Sequence, residues 1–129
     1  MADPLDLTGK WDGAYKYPRS YGPTTPFLAE ISESAGSFDG TIIEPNLSNA
    51  GSVEARVVGY RSGRSVDFTK TYVNPDQGYE NPIDYVGQLS VDGLTITGVW
   101  SMLDWNGQFE MTRDAGRQIE AEETAEIEV

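Results

Sequence analysis

Two residue types are missing from this chain altogether: among its 129 residues there is no cysteine and no histidine. Without cysteine there is no disulfide, no thiolate nucleophile and no thiolate metal site. Without histidine a zinc site loses its usual nitrogen ligands, and no imidazole base or Ser-His-Asp triad can be assembled. No metal and no cofactor is expected. Bases are scarce as well, 9 against 21 acids, for a net charge of -12. A surface that acidic repels phosphate backbones and anionic headgroups, which argues against nucleic acid and membrane partners. No apolar run approaches the ~20 residues of a spanning helix. The first residues lack the basic and apolar regions of a signal peptide, so a cytoplasmic location is the expectation.

What the chain does have is alternation. In the stretch 7–17, Trp11, Gly13, Tyr15 and Tyr17 share one face at period two, and Lys10, Asp12 and Lys16 share the other. That is a strand with one dry and one wet face. The layout recurs and predicts strands over 9–17, 27–33, 38–44, 53–60, 65–73, 83–91, 94–102 and 105–113. No helical stretch lies among them. Short connections pair each strand with the next, and eight strands close such a meander into a barrel. The expected fold is an all-β, eight-stranded antiparallel up-and-down barrel over 1–113, followed by an acidic tail, 114–129, that is a short helix or disordered. Gly13, Gly40, Gly87, Gly98 and Gly107 lie mid-strand on the apolar face, as expected of a tightly curved sheet.

The connections alternate in length. Those at 34–37, 61–64 and 92–93 are tight, the last an Asp-Gly pair that predicts a two-residue hairpin. Those at 19–26, 45–51 and 74–82 are long and rich in Pro, Gly and Asn. In a meander the two sets lie at opposite ends, one closed by hairpins and the other a mouth rimmed by loops, where binding residues concentrate. Strand direction puts Trp11 at the closed end with Arg113 beside it. Burying that indole is worth roughly 4–6 kcal/mol at about 25 cal/mol per Å², and a guanidinium on its face about 0.5–2 more, so both residues read as structural.

Gly9-Lys10-Trp11 on the first strand with Arg113 closing the last resembles the calycin superfamily of lipocalins, fatty-acid-binding proteins and avidins. Phe38-x-Gly40-Thr41-x-x-Glu44 and Tyr85-x-Gly87-Gln88 are similar to strands of the avidin/streptavidin pattern. The resemblance spans 7–113 and implies the barrel and a ligand cup. It also implies polar biotin-holding residues where Gly13, Tyr15 and Glu44 stand here, and a stacking tryptophan where Tyr72 stands. The cup is therefore expected, and biotin is not.

Inward positions at the mouth are Tyr15, Tyr17, Phe27, Glu44, Lys70, Tyr72, Tyr85, Trp100, Met102 and Trp105, an aromatic wall with a few polar tips. Small barrels are also packed solid by such rings. Glu44 and Lys70 are the sharpest members, because both are in phase with apolar residues. They either pair inside to grip a polar ligand group or do imine or proton-transfer chemistry, or they form a solvated rim pair, or a bulge turns Lys70 outward. Three functions stay open. One is a barrel binding a small hydrophobic or aromatic molecule. Another is a cyclase or isomerase using Lys70, Glu44 or Tyr85 as acid and base. The third is a filled barrel acting through its surface. A homodimer or homotetramer is compatible with each, and no unambiguous apolar stripe marks an interface.

Overall fold

The structure, a computed structural model, describes residues 5–18, 24–45, 51–73 and 81–113. The expected tail and most of the three long loops lie outside these residues. Alternation drives every described strand into one sheet: β1 (Gly9–Lys16), β2 (Thr25–Ser34), β3 (Ser37–Pro45), β4 (Ser52–Ser62), β5 (Ser65–Tyr72), β6 (Ile83–Leu89), β7 (Thr95–Met102) and β8 (Trp105–Thr112). Each is antiparallel to its chain neighbour, and β1 pairs with β8, from Asp12 against Thr112 to Lys16 against Gln108, to close the barrel. Closure leaves no free sheet edge.

The apolar parity of each strand faces inward. A layer of rings fills the middle: Phe68 stacks on Tyr85 with centroids 4.8 Å apart, and Phe109 meets Tyr85 edge-on at 4.9 Å. Two inward glycines make room for rings. A β-carbon on Gly13 would collide with the Phe27 ring, and one on Gly107 with the Trp100 indole. The rings thus cover the bare backbone of curved strands.

The closed end is plugged. The Trp11 indole N–H donates to Leu7 O at 2.9 Å, and the Arg113 guanidinium lies 4.6 Å over the Trp11 ring. Arg113 Nε also donates to Gly93 O at 2.9 Å and Nη1 to Thr8 O at 3.4 Å. Beside this plug, Arg61 donates from Nε and Nη2 to the two oxygens of Glu33, at 2.8 and 2.7 Å. The fork-on-fork geometry suits a pair largely withdrawn from water.

Two turns differ from expectation. The 61–64 turn shrinks to Gly63-Arg64, because β4 runs through Ser62 and Arg61 turns inward to Glu33. The Asp92-Gly93 pair does not make a two-residue hairpin. Ser90 N donates to Thr95 O at 2.7 Å, enclosing four residues. Asp92 accepts from the Ser90 hydroxyl at 2.5 Å and from Leu94 N at 3.0 Å, which fixes a longer turn around its carboxylate. The last connection, Leu103-Asp104, is tight, with Met102 paired to Trp105. The loop end thus has three long connections and one hairpin.

Candidate functional site

The site is built from four strands that reach the loop end. β1 brings Tyr15, β3 brings Glu44 as its penultimate residue, and β5 brings Lys70 and Tyr72. β6 starts there and brings Tyr85. All five side chains are buried, Lys70 and Glu44 to 1% and 2% relative exposure. The solvated rim pair and the outward bulge are therefore both overturned. Strand parity holds through position 70, and the stem of Lys70 is long enough to reach its partner inside.

Glu44 is the hub. Its Oε2 accepts from Lys70 Nζ at 3.0 Å, and its Oε1 accepts from the hydroxyls of Tyr15 at 2.8 Å and Tyr72 at 2.6 Å. The ammonium sits among three phenol rings, with centroids of Tyr15, Tyr72 and Tyr85 at 4.6, 4.9 and 5.3 Å. Ring faces attract a cation at such distances. Of the three donors an ammonium carries, Glu44 takes one, and the remainder face the rings. Thr25, level with Tyr15 across β1 and β2, is 1% exposed and hydrogen-bonds the Tyr15 hydroxyl.

Burial sets the titration of these groups. It pushes the Tyr15, Tyr72 and Tyr85 hydroxyls well above the ordinary phenol value, and the Glu44 carboxylate adds to this. The phenols stay protonated and donate. Burial pulls Lys70 down, against Glu44, which pulls it back up. A dry lysine pulled below its ordinary value by burial, a carboxylate in contact with it and fixed phenol donors can hold a polar group or move a proton.

The other expected site residues divide by depth. Phe27 and Trp100 are buried with the cluster; the Trp100 indole N–H donates to Lys16 O at 3.0 Å and its ring meets Tyr15 at 6.2 Å. Tyr17 and Met102 are partly buried and pack on the core nearer the loop end, with Tyr17 edge-on to Trp100 at 5.4 Å. Trp105 is not brought in. Opening β8 after a tight turn, it is 47% exposed, so its even spacing with Gly107 and Phe109 does not carry it inside. The sequence reading missed Thr25, which it placed in a loop, and Val53, which pairs with Glu44 and half-covers the rim. It also missed the Glu33–Arg61 pair. Glu33 shares the parity of Phe27, Ala29 and Ile31, and that was the available signal.

Two grooves of about 470 and 320 Å³ lie on the outer wall, one lined by Ala14, Lys16, Val99 and Gln108 and the other by Lys10, Leu28, Thr41 and Ile43. Neither gathers buried polar groups, so the interior cluster is the stronger site.

No family model matches the chain, and no curated protein matches it. Among solved structures it is similar to a redesigned β-barrel at 17% identity and a TM-score of 0.64, over 84% of this chain and 91% of that one. A likeness at that identity shows the barrel fold alone.

Proposed function

We propose that this protein is a small-molecule-binding barrel. Its ligand is a hydrophobic or aromatic molecule whose one polar end meets the Glu44, Lys70, Tyr15 and Tyr72 cluster and whose body lies against Tyr17, Trp100 and Met102. One observation carries this reading: a dry ion pair with two phenols stands where a barrel needing only stability would use hydrocarbon. Replacing a buried ion pair by well-packed apolar side chains is often neutral or stabilising by about 1–4 kcal/mol. Keeping the pair is a reason to look for work that it does.

Trp11 and Arg113, two residues that carry the calycin resemblance, stack at the closed end, which supports a calycin-type barrel. The acidic surface supports a ligand that is neither nucleic acid nor membrane. The paired outer residues Val86 and Val99, both exposed, support association into a homodimer or homotetramer.

Titration with Nile red, a neutral apolar dye, tests the cup. The expected result is a saturable one-to-one rise in fluorescence, weakened by about tenfold in Lys70→Met, the loss of one good polar contact. Native mass spectrometry of protein from its own host should retain a bound small molecule and report subunit number. A wild-type barrel that takes no dye and carries no molecule would be a filled barrel, and the reading would fall.

A further inference from the structure

We propose that Lys70 condenses with an aldehyde at one end of the ligand to form an imine, with Glu44 as the counter-ion of the resulting iminium. The proposal rests on the ligand-cup reading and names the chemistry of the ligand's polar end.

The charge balance of the cluster selects that chemistry. Glu44 already neutralises Lys70 at 3.0 Å. An anionic ligand end would gain the ammonium only by meeting the carboxylate, and a cationic end would meet the ammonium. A neutral carbonyl faces neither penalty. It offers an electrophilic carbon to the amine and an oxygen to an acid, and both groups are present.

The stem of Lys70 runs toward the loop end of the barrel. Lys70 is level with Val57, and Val57 with Gly40. Glu44 stands four residues beyond Gly40 toward the loop end, so the lysine stem runs along the barrel to reach it. The residues beyond the head, Tyr17, Val53 and Met102, are apolar or aromatic and only partly buried. Lys10 and Lys16, the other two lysines, are exposed on β1 and have no such surroundings.

The step balances without an oxidant or reductant. Lys70 Nζ gives a proton to Glu44 Oε2. The amine lone pair attacks the aldehyde carbon, forming the C–N bond as the carbonyl π pair moves to oxygen. Protons pass through Glu44 to that oxygen, the C–O bond breaks, and water leaves as the nitrogen pair forms C=N. In sum, ammonium and aldehyde give iminium and water. The product keeps the positive charge of the reactant, so Glu44 and the three ring faces stabilise it as they stabilise the ammonium. Tyr15 and Tyr72 hold Oε1 and leave Oε2 for the proton. Burial already pulls Lys70 below the ordinary lysine value, which eases formation of the free amine.

The test uses the full chain, cinnamaldehyde and sodium cyanoborohydride at neutral pH, with intact-mass and peptide mapping. One adduct per chain is expected, on Lys70, forming at least about tenfold faster than any on Lys10 or Lys16, as for a positioned amine. Lys70→Arg keeps the charge and should abolish that adduct. Glu44→Gln, checked for fold by circular dichroism, should slow trapping by about 100-fold, the size of a lost general acid–base. Cinnamyl alcohol, which cannot form an imine, separates the two readings by displacing Nile red. If the alcohol displaces the dye while Lys70 stays unmodified, the imine is overturned and the cup stands. If neither molecule enters, both fall. Adducts confined to Lys10 and Lys16 also overturn the proposal.

Discussion

Among the described residues the barrel carries one acid–base pair at each end, and the two are held differently. At the closed end, Glu33 and Arg61 keep 2% and 9% of their side-chain surface, and both are tied to backbone: Leu7 N donates to Glu33 Oε1 at 3.0 Å, and Arg61 Nη1 donates to Gly63 O at 2.7 Å. Arg113 beside them is likewise fixed by Gly93 O and Thr8 O. At the loop end, every hydrogen bond that Glu44 accepts comes from a side chain: Lys70, Tyr15 and Tyr72. Backbone partners cannot move without moving strands, whereas side chains can exchange one partner for a ligand group. The first end is a fastening and the second is the candidate site. Both are buried polar clusters, so burial alone does not distinguish them; the origin of the partners does.

The largest effect that would test this difference is removal of each acid. Glu44→Ala strands an ammonium at 1% exposure and should cost about 3–5 kcal/mol. Glu33→Ala leaves Arg61 still bonded to Gly63 O and should cost about 2 kcal/mol, the loss of charged hydrogen bonds. The double variant Glu44→Leu, Lys70→Met should recover most of the first loss. Urea midpoints at pH 7 measure all three. Equal costs at the two ends would erase the distinction.

The membership of the buried cluster was legible because parity survives from strand to strand. Phe68, Lys70 and Tyr72 alternate without a break, and so do Ile42 and Glu44. Period two therefore placed both charges inside, and chain direction placed them at the loop end. Parity says nothing of height or reach. It could not show that the Lys70 stem climbs to Glu44, and so left a rim pair and a bulge in play. Nor could it show Arg61 turning in from the end of β4. Asp92-Gly93 misled for a chemical reason: the aspartate spends its carboxylate on Ser90 and Leu94. Trp105 misled for a geometric one: it opens β8 straight after a tight turn and stays 47% exposed.

Alkaline pH should act on the loop end next. Tyr15, Tyr72 and Tyr85 are held above the ordinary value of 10.0, so above pH 10 the unfolded chain sheds protons that the folded chain keeps. Stability then falls as pH rises, by about 1.4 kcal/mol per tyrosine for each unit well past 10. Lys70 has the opposite sign. Its folded value lies below 10.5, so the unfolded chain binds the extra proton and this contribution rises with pH until about 10.5, then stops. Between pH 9 and 11 the net loss should be about 2–4 kcal/mol, read from urea midpoints. Tyr72→Phe should reduce the fall by about 1.4 kcal/mol. A flat profile would mean that the phenols ionise in the folded barrel.

At the closed end, Arg113→Met should cost about 2 kcal/mol, combining the lost cation–π contact with the charged hydrogen bond to Gly93 O. Dye uptake at the far end should be unchanged. A change in uptake with no loss of stability would move Arg113 from the fastening to the site.

The smallest effects compare one turn from each end. Both turns hold a non-glycine residue in the left-handed region: Ala35 at φ 52° between β2 and β3, and Leu103 at φ 54° between β7 and β8. Ala35 precedes Gly36, which also has positive φ, so this is the two-residue hairpin that favours Asn-Gly. Ala35→Asn should gain about 0.5–1 kcal/mol, since asparagine tolerates that conformation. Leu103 is 78% exposed, so its side chain buries little to offset the strain. Leu103→Gly relieves about 1–2 kcal/mol of left-handed strain but gives back up to about 1 in unfolded-chain entropy, a net gain under about 1 kcal/mol. Thermal midpoints resolve both. If the loop end is the site, Leu103→Gly should also shift Nile red affinity, because the turn carries Met102 at the rim, whereas Ala35→Asn should leave affinity alone.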